Sequence, residues 1–290
     1  MSFLLIWGRR VNAEDSYMRE VRNLTRREML RLGTGTLLAL GLWPGALQAE
    51  DSASPAEFDF LVVNDFHYLD KKCSKWLEGV VRQIKKHPQK IDFCLLAGDV
   101  SEHGKPEQLA PVRDLIEQLG KPTYVVVGNH DYVTQTNRKA FEKLFPERIN
   151  YHFAHQGWQF VGLDTTEGKG SRNTSVQAPT LKWLDEKLPK LDKRRPTVVF
   201  THFPLGPWVI GRPKNAADVL ARFKEYNLQA VYSGHWHGFT ERKAGKAILT
   251  TNRCCSHWKP NHDGTKEKGY FLCHAKDGKI QRTFVEVKLT

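Results

Sequence analysis

The sequence predicts an α/β fold, on three observations. Short apolar runs rich in Val, Phe, Ile and Leu alternate with segments of helical periodicity. Most of those runs are apolar throughout, which suits strands buried on both faces. The 290-residue chain is 40% hydrophobic, enough for one sizeable core.

In chain order, FDFLVV (58–63) is the first strand, followed by a helical pattern over about 71–86. IDFCLLA (91–97) is the second strand, with Cys94 as a buried thiol, and a helix follows at about 106–119. PTYVVVG (122–128) and WQFVGL (158–163) are dense in β-branched and aromatic residues and read as strands. A helical pattern at about 179–190 leads to the strand PTVVFT (196–201), and another at about 215–226 leads to QAVYS (229–233). AILTT (247–251), GYFLCHA (269–275) and RTFVEVKL (282–289) then follow strand to strand, which suggests a second, more antiparallel portion. The last alternates apolar and polar residues, so one of its faces is expected in water. No Pro-, Gly- or Ser-rich linker interrupts this order, so a single domain is expected over 56–290.

Residues 1–49 read differently. The stretch NLTRREMLRLGTGTLLALGLWPGALQA (23–49) places Arg26–Arg27 before an apolar run and ends in small residues. That is the layout of an export signal, and the arginine pair suggests the twin-arginine route. The protein is then exported, periplasmic or extracellular, and the twin-arginine export machinery is its partner. That route carries proteins already folded, which suits a chain that acquires a cofactor first. An uncleaved anchor is the alternative, because residues 32–49 carry no charge. Four glycines and Pro44 make that stretch a poor spanning helix.

The formal net charge is +12, and the first 49 residues supply only part of it. A basic surplus favours anionic ligands in general. The lysines and arginines are scattered, with no basic run interleaved with aromatics, so no specific nucleic-acid partner is expected. Five cysteines, Cys73, Cys94, Cys254, Cys255 and Cys273, form no C-x-x-C pair. A structural zinc knuckle is therefore not expected.

Five strand ends carry the chemistry. They deliver Asp65 and His67, then Asp99, then Asn129, His130 and Asp131, then His202, then His235 and His237. Ligands of α/β sheets bind outside the carboxyl ends of strands. Gly98, Gly128 and Gly234 each precede a polar cluster, where glycine lets backbone approach a ligand closely. Imidazole mixed with carboxylate suits Zn, Mn or Fe(II), and so many donors suit two ions better than one.

The ordered series Asp-x-His, Gly-Asp, Gly-Asn-His-Asp, His and Gly-His-x-His resembles the calcineurin-like metallophosphoesterase family. The stretch 163–188 is also similar to that family's middle region. The resemblance implies a four-layer α-β-β-α sandwich of two mixed sheets flanked by helices, with the metal site at the carboxyl ends of the strands. It implies that Asp65, His67 and His237 hold one divalent metal ion and Asn129, His202 and His235 a second. Asp99 would bridge them, and a bridging hydroxide would attack the phosphoryl group. His130 would stabilise the phosphoryl charge or protonate the leaving oxygen, with Asp131 orienting it. In SGHWHG (233–238), alternate residues of an extended segment would point the same way, yet serve different ions.

Purple acid phosphatases of this family carry a tyrosine shortly after Gly-Asp. Here GDVSEHG places Glu102 there, so divalent ions (Mn, Fe or Zn) are expected. His103, Arg253 and His257 read as loop residues and Trp236 as packing. His87, His152, His155, His262 and His274 have no partner pattern and read as surface or core. The expected function is hydrolysis of small phosphomonoesters or phosphodiesters. The alternatives are a non-catalytic metal-binding scaffold or a nuclease.

Overall fold

β1 (Phe58–Val63) shows why its run is apolar on both faces. Phe58, Phe60 and Val62 point to one core, and Leu61 and Val63 point to another. The computed structural model describes residues 55–288, so the targeting segment expected over 1–49 lies outside the described residues. Among the described residues no helix is long and apolar enough to cross a membrane.

The order continues with α1 (Lys71–Lys85), β2 (Ile91–Ala97), α2 (Pro106–Glu117), β3 (Thr123–Val126) and α3 (Lys139–Leu144). Then come β4 (Tyr151–His155), β5 (Trp158–Leu163), α4 (Ala178–Lys187), β6 (Thr197–Thr201), α5 (Ala216–Arg222) and β7 (Leu228–Ser233). The chain closes with β8 (Thr240–Ala244), β9 (Ala247–Thr251), β10 (Gly269–Lys276) and β11 (Lys279–Glu286).

Two mixed sheets result. One has the order β11-β10-β1-β2-β3, the other β4-β5-β6-β7-β9-β8. β1, β2 and β3 are parallel, as are β5, β6, β7 and β9, while β10 pairs antiparallel with both β1 and β11, and β4 and β8 pair antiparallel at the edges of the second sheet. Phe60, Phe93, Leu95, Trp158, Phe160 and Phe200 fill the core between the sheets. α1, α2 and α3 cover the first sheet through Leu77, Leu109 and Phe141, and α4 and α5 cover the second through Leu184 and Val219. This is the four-layer arrangement: helices, sheet, sheet, helices.

The C-terminal strands do not form a separate antiparallel portion. β9 joins the second sheet parallel to β7, and β10 crosses back to pair with β1. The alternating strand β11 is half exposed, as its pattern predicts. All five cysteines are buried free thiols. What matters for function is direction: the parallel strands of both sheets end at the same edge of the sandwich.

Candidate metal centre

Five of those strand ends meet in one cleft. β1 runs into Asp65 and His67, β2 into Asp99, β3 into Asn129 and His130, β6 into His202, and β7 into His235 and His237. Asp65, His67, Asp99, Asn129, His202 and His237 are all buried. Asp65, His67, Asp99, His235 and His237 have positive φ, between 46° and 64°. For residues with a Cβ this left-handed backbone costs about 1–3 kcal/mol each and clusters where function requires it. It also corrects one expectation: the two histidines of SGHWHG are not in extended backbone, so no strand alternation aims them.

The donors form two groups that share one carboxylate. Asp65, His67, Asp99 and His237 each place a ligand atom within 4.8 Å of the others, and so do Asp99, His202 and His235. Asn129 Oδ1 joins the second group, 3.1 Å from His202 Nε2. Asp99 Oδ2 lies 3.4 Å from His67 Nε2 and 3.3 Å from His202 Nε2, facing both groups. Close backbone approach makes this possible. A Cβ at Gly128 would lie 2.2 Å from Asp99 Oδ1, and one at Gly234 2.8 Å from Asp65 Oδ2.

The ring nitrogens decide whether this cluster fits cations. His67 Nδ1 faces Glu102 Oε2 at 2.7 Å, His202 Nδ1 faces the Ala97 carbonyl at 2.9 Å and His237 Nδ1 faces the Pro260 carbonyl at 3.3 Å. His235 does the same with its Nε2, 2.9 Å from the Ser171 carbonyl. An acceptor on one nitrogen fixes the hydrogen there and leaves the other nitrogen's lone pair for a metal. Four imidazoles are so arranged, with two carboxylates and an amide oxygen. The set fits two divalent ions with mixed nitrogen and oxygen ligands.

Electrostatics agree. Burial would raise the Asp65 and Asp99 carboxyls, yet neighbouring histidines hold both below the usual range. Burial would lower His202 and His237, yet the charges of Asp99 and Asp65 push them up to about 9 and about 11. The two buried carboxylates give the cleft a demand for positive charge. His235, buried and beside His202, is lowered to about 3.

The cleft opens into a cavity of about 470 Å³ lined by His67, Asp99, His130, Arg172, Trp258 and His262, among others. Residues 58–239 match the family model for calcineurin-like phosphoesterases.

The chain belongs to the calcineurin-like phosphoesterase family.

Its relatives include a Synechococcus protein named as a probable cyclic nucleotide phosphodiesterase, 31% identical over 156 residues. That match covers 50% of this chain and 58% of the relative, so the chain spans little more than half of that protein. The glycerophosphodiester phosphodiesterase of Enterobacter lignolyticus is 24% identical over 201 residues, covering 64% of this chain and 71% of the relative. Among solved structures, a dimetal phosphatase from Danio rerio superposes with a TM-score of 0.59 at 15% identity. That superposition covers 80% of this chain and 99% of the other, and supports the fold.

Within this calcineurin-like site the expected pairing of Asp131 with His130 is not formed. Asp131 does not touch the His130 ring. Its carboxylate accepts from the backbone N–H groups of Gly128, Val100 and Ser101 and from Ser101 Oγ, tying the loop after β3 to the loop after β2. Burial and the charge of Asp99 raise its carboxyl to about 7 against those donors. His130 Nδ1 instead meets the Glu102 carbonyl at 3.0 Å, with Glu102 Oε2 at 3.4 Å. Its backbone N–H donates to Asp99 Oδ1 at 2.9 Å.

His262, read from sequence as having no partner, stacks on His237 with centroids 5.2 Å apart and lines the cavity. Glu102 was visible only as a missing tyrosine. It contacts His67 and His130, and Lys259 Nζ at 2.8 Å. The hydrogen bonds from His67 and Lys259 outweigh burial and lower its carboxyl to about 2. His103 is exposed and absent from the cavity lining. Arg253 faces Asp263 and the Phe284 ring, away from the cleft, and His257 lies beside Trp76.

Proposed function

We propose that this chain is an exported, metal-dependent phosphodiesterase acting on small phosphodiesters. The observation that carries the reading is Asp99, one buried carboxylate facing two donor groups at once. Asp65, His67, Asp99 and His237 would hold one divalent ion, and Asp99, Asn129, His202 and His235 the other. When bound, two such ions supply a water of lowered pKa and neutralise phosphoryl oxygens.

The chain's own residues do the rest. Asp99 fixes the backbone of His130. The Glu102 carbonyl holds His130 Nδ1, so the ring presents Nε2 to the cavity that it lines. There it can hold a proton for the leaving oxygen. Trp236, Trp258, Arg172 and Lys259 line the same cavity. Its roughly apolar wall and basic flank suit an ester carrying a second substituent. The relatives named as phosphodiesterases support a diester over a monoester. The pattern around Arg26–Arg27 supports export by the twin-arginine route to the periplasm or beyond.

The test is the full chain reconstituted with Mn, Fe(II) or Zn. Bound metal would be counted, and hydrolysis of bis(p-nitrophenyl) phosphate compared with p-nitrophenyl phosphate, cyclic nucleotides and glycerophosphodiesters. Two bound ions with no hydrolysis of any ester would leave the scaffold reading instead. For export, Arg26→Lys with Arg27→Lys should strand the protein in the cytoplasm.

A further inference from the structure

Six large hydrophobic side chains are exposed among the described residues: Leu69, Val133, Trp208, Ile210, Phe239 and Trp258. Exposed apolar residues scattered singly need no explanation. These are not scattered. Each lies in a loop at, or shortly beyond, the carboxyl end of a strand on the cleft side: Leu69 after β1, Val133 after β3, Trp208 and Ile210 after β6, Phe239 after β7 and Trp258 after β9. The outer faces of the helices and the opposite end of the sheets contribute none.

Trp208 stands out. Its side chain is 91% exposed, and its backbone φ is +64°. A bulky residue gains nothing from packing there and pays for left-handed backbone. The loop is nevertheless braced. Arg212 Nε donates to the Leu205 carbonyl at 3.0 Å, and Arg242 Nε to the Pro207 carbonyl at 3.2 Å. Trp208 also does not line the cavity, so a ligand filling the cavity leaves it uncovered. Whatever covers it extends past the mouth.

Charge narrows the occupant. The loop 202–215 carries Arg212 and Lys214 and no acidic residue, and the adjoining loop exposes Arg172. Lys214 N–H donates to the Thr174 carbonyl at 2.8 Å, so the two loops form one surface. Tryptophan with interspersed cations is the composition of a protein surface seated at lipid headgroups. Ile210 and Trp258 line the cavity, Phe239 packs against Phe271 and Arg282, and the other tips come from separate loops at the same end of the sheets, so a fluid surface fits them without shape complementarity.

We propose that this face docks on an anionic lipid bilayer, with Trp208 as the residue that enters the interface. Docking aims the mouth of the cleft at the headgroup layer. The proposal does not depend on which ester, if any, the cleft hydrolyses.

The experiment is co-sedimentation of the metal-loaded full chain with vesicles of phosphatidylglycerol mixed with phosphatidylcholine, and with phosphatidylcholine alone. The anionic vesicles should bind, and high salt should weaken binding. Trp208→Ser should lower partitioning about tenfold, the scale of one lost aromatic insertion. Trp208→Phe should recover most of it. Hydrolysis of soluble bis(p-nitrophenyl) phosphate should be the same in all three proteins.

Equal binding by Trp208→Ser would overturn the proposal, since the apolar stretch 32–49, common to all variants, would then be the anchor. Absence of vesicle binding by the unaltered protein would overturn it too, leaving the face to a protein partner. A fall in soluble-ester hydrolysis in Trp208→Ser would also overturn it, making Trp208 a substrate contact. If the vesicle pattern holds while no ester is cleaved, the phosphodiesterase reading fails and the docking face stands.

Discussion

Glu102 holds His67 by a 2.7 Å hydrogen bond between Oε2 and Nδ1, and its other oxygen meets Lys259 Nζ at 2.8 Å. The bond fixes the hydrogen on Nδ1 and turns Nε2 toward Asp99 and His237. A carboxylate behind a liganding imidazole both orients it and raises its basicity.

Glu102→Gln should therefore weaken binding at the Asp65–His67–His237 group about 10- to 100-fold, while the fold is kept. Calorimetric titration of the metal-free protein with Zn or Mn would resolve this as one weakened site beside one unchanged site. Equal weakening of both, or of neither, would remove Glu102 from that role.

His130→Ala should keep both ions and lose about 10²- to 10⁴-fold in turnover, the usual contribution of a positioned proton donor. Its side chain contributes to neither group that shares Asp99, and its backbone bond to Asp99 survives the change. Metal content measured beside kcat on bis(p-nitrophenyl) phosphate checks both halves. A variant that lost its ions and kept its rate would refute the assignment.

Asp131→Ala tests the revised role of that carboxylate. Three backbone N–H groups and one hydroxyl, all buried, would lose their acceptor. Stability should fall by about 3 kcal/mol or more, since stranding buried donors costs about 1–3 kcal/mol each before relaxation. Thermal or urea unfolding of the metal-free protein would measure it. Were Asp131 chiefly an orienting partner for His130, the variant would unfold normally and lose only turnover.

How much of this was legible follows from where the information sits in the chain. β1, β2, β6 and β7 could be read because both their faces are buried, so the sequence is apolar without a break. The edge strands β4 and β8 alternate with exposed residues, and α3 is six residues long, so none of the three leaves a strong pattern. The donors of the cleft were readable because each follows its strand directly. Glu102 was not, since its meaning depends on His67, 35 residues earlier, and Lys259, 157 later. His262 stacks on a histidine 25 positions away by sequence number, with β8 and β9 between them, and sits in a loop with no periodicity of its own. Left-handed backbone at His235 and His237 accompanies tertiary contacts, the His235 N–H with Asp65 and the two rings with the Ser171 and Pro260 carbonyls, and leaves no local signature.

The shared position of Asp99 makes a prediction that separates two ions from one. Metal that binds only the folded protein stabilises it by about 4 kcal/mol at a thousand times its dissociation constant, which for a domain of this size raises Tm by about 10 °C. Adding Zn or Mn to the metal-free chain should show such a rise, and a chelator should reverse it. Asn129→Ala touches only the second group, so one ion and part of the rise should remain. Asp99→Asn removes the charge that faces both His67 Nε2 and His202 Nε2. Both sites should weaken together and most of the metal-induced rise should vanish, although Asn is nearly the same shape. A full-strength site surviving in Asp99→Asn would mean that Asp99 serves one group only, and the two-ion centre would have to be redrawn.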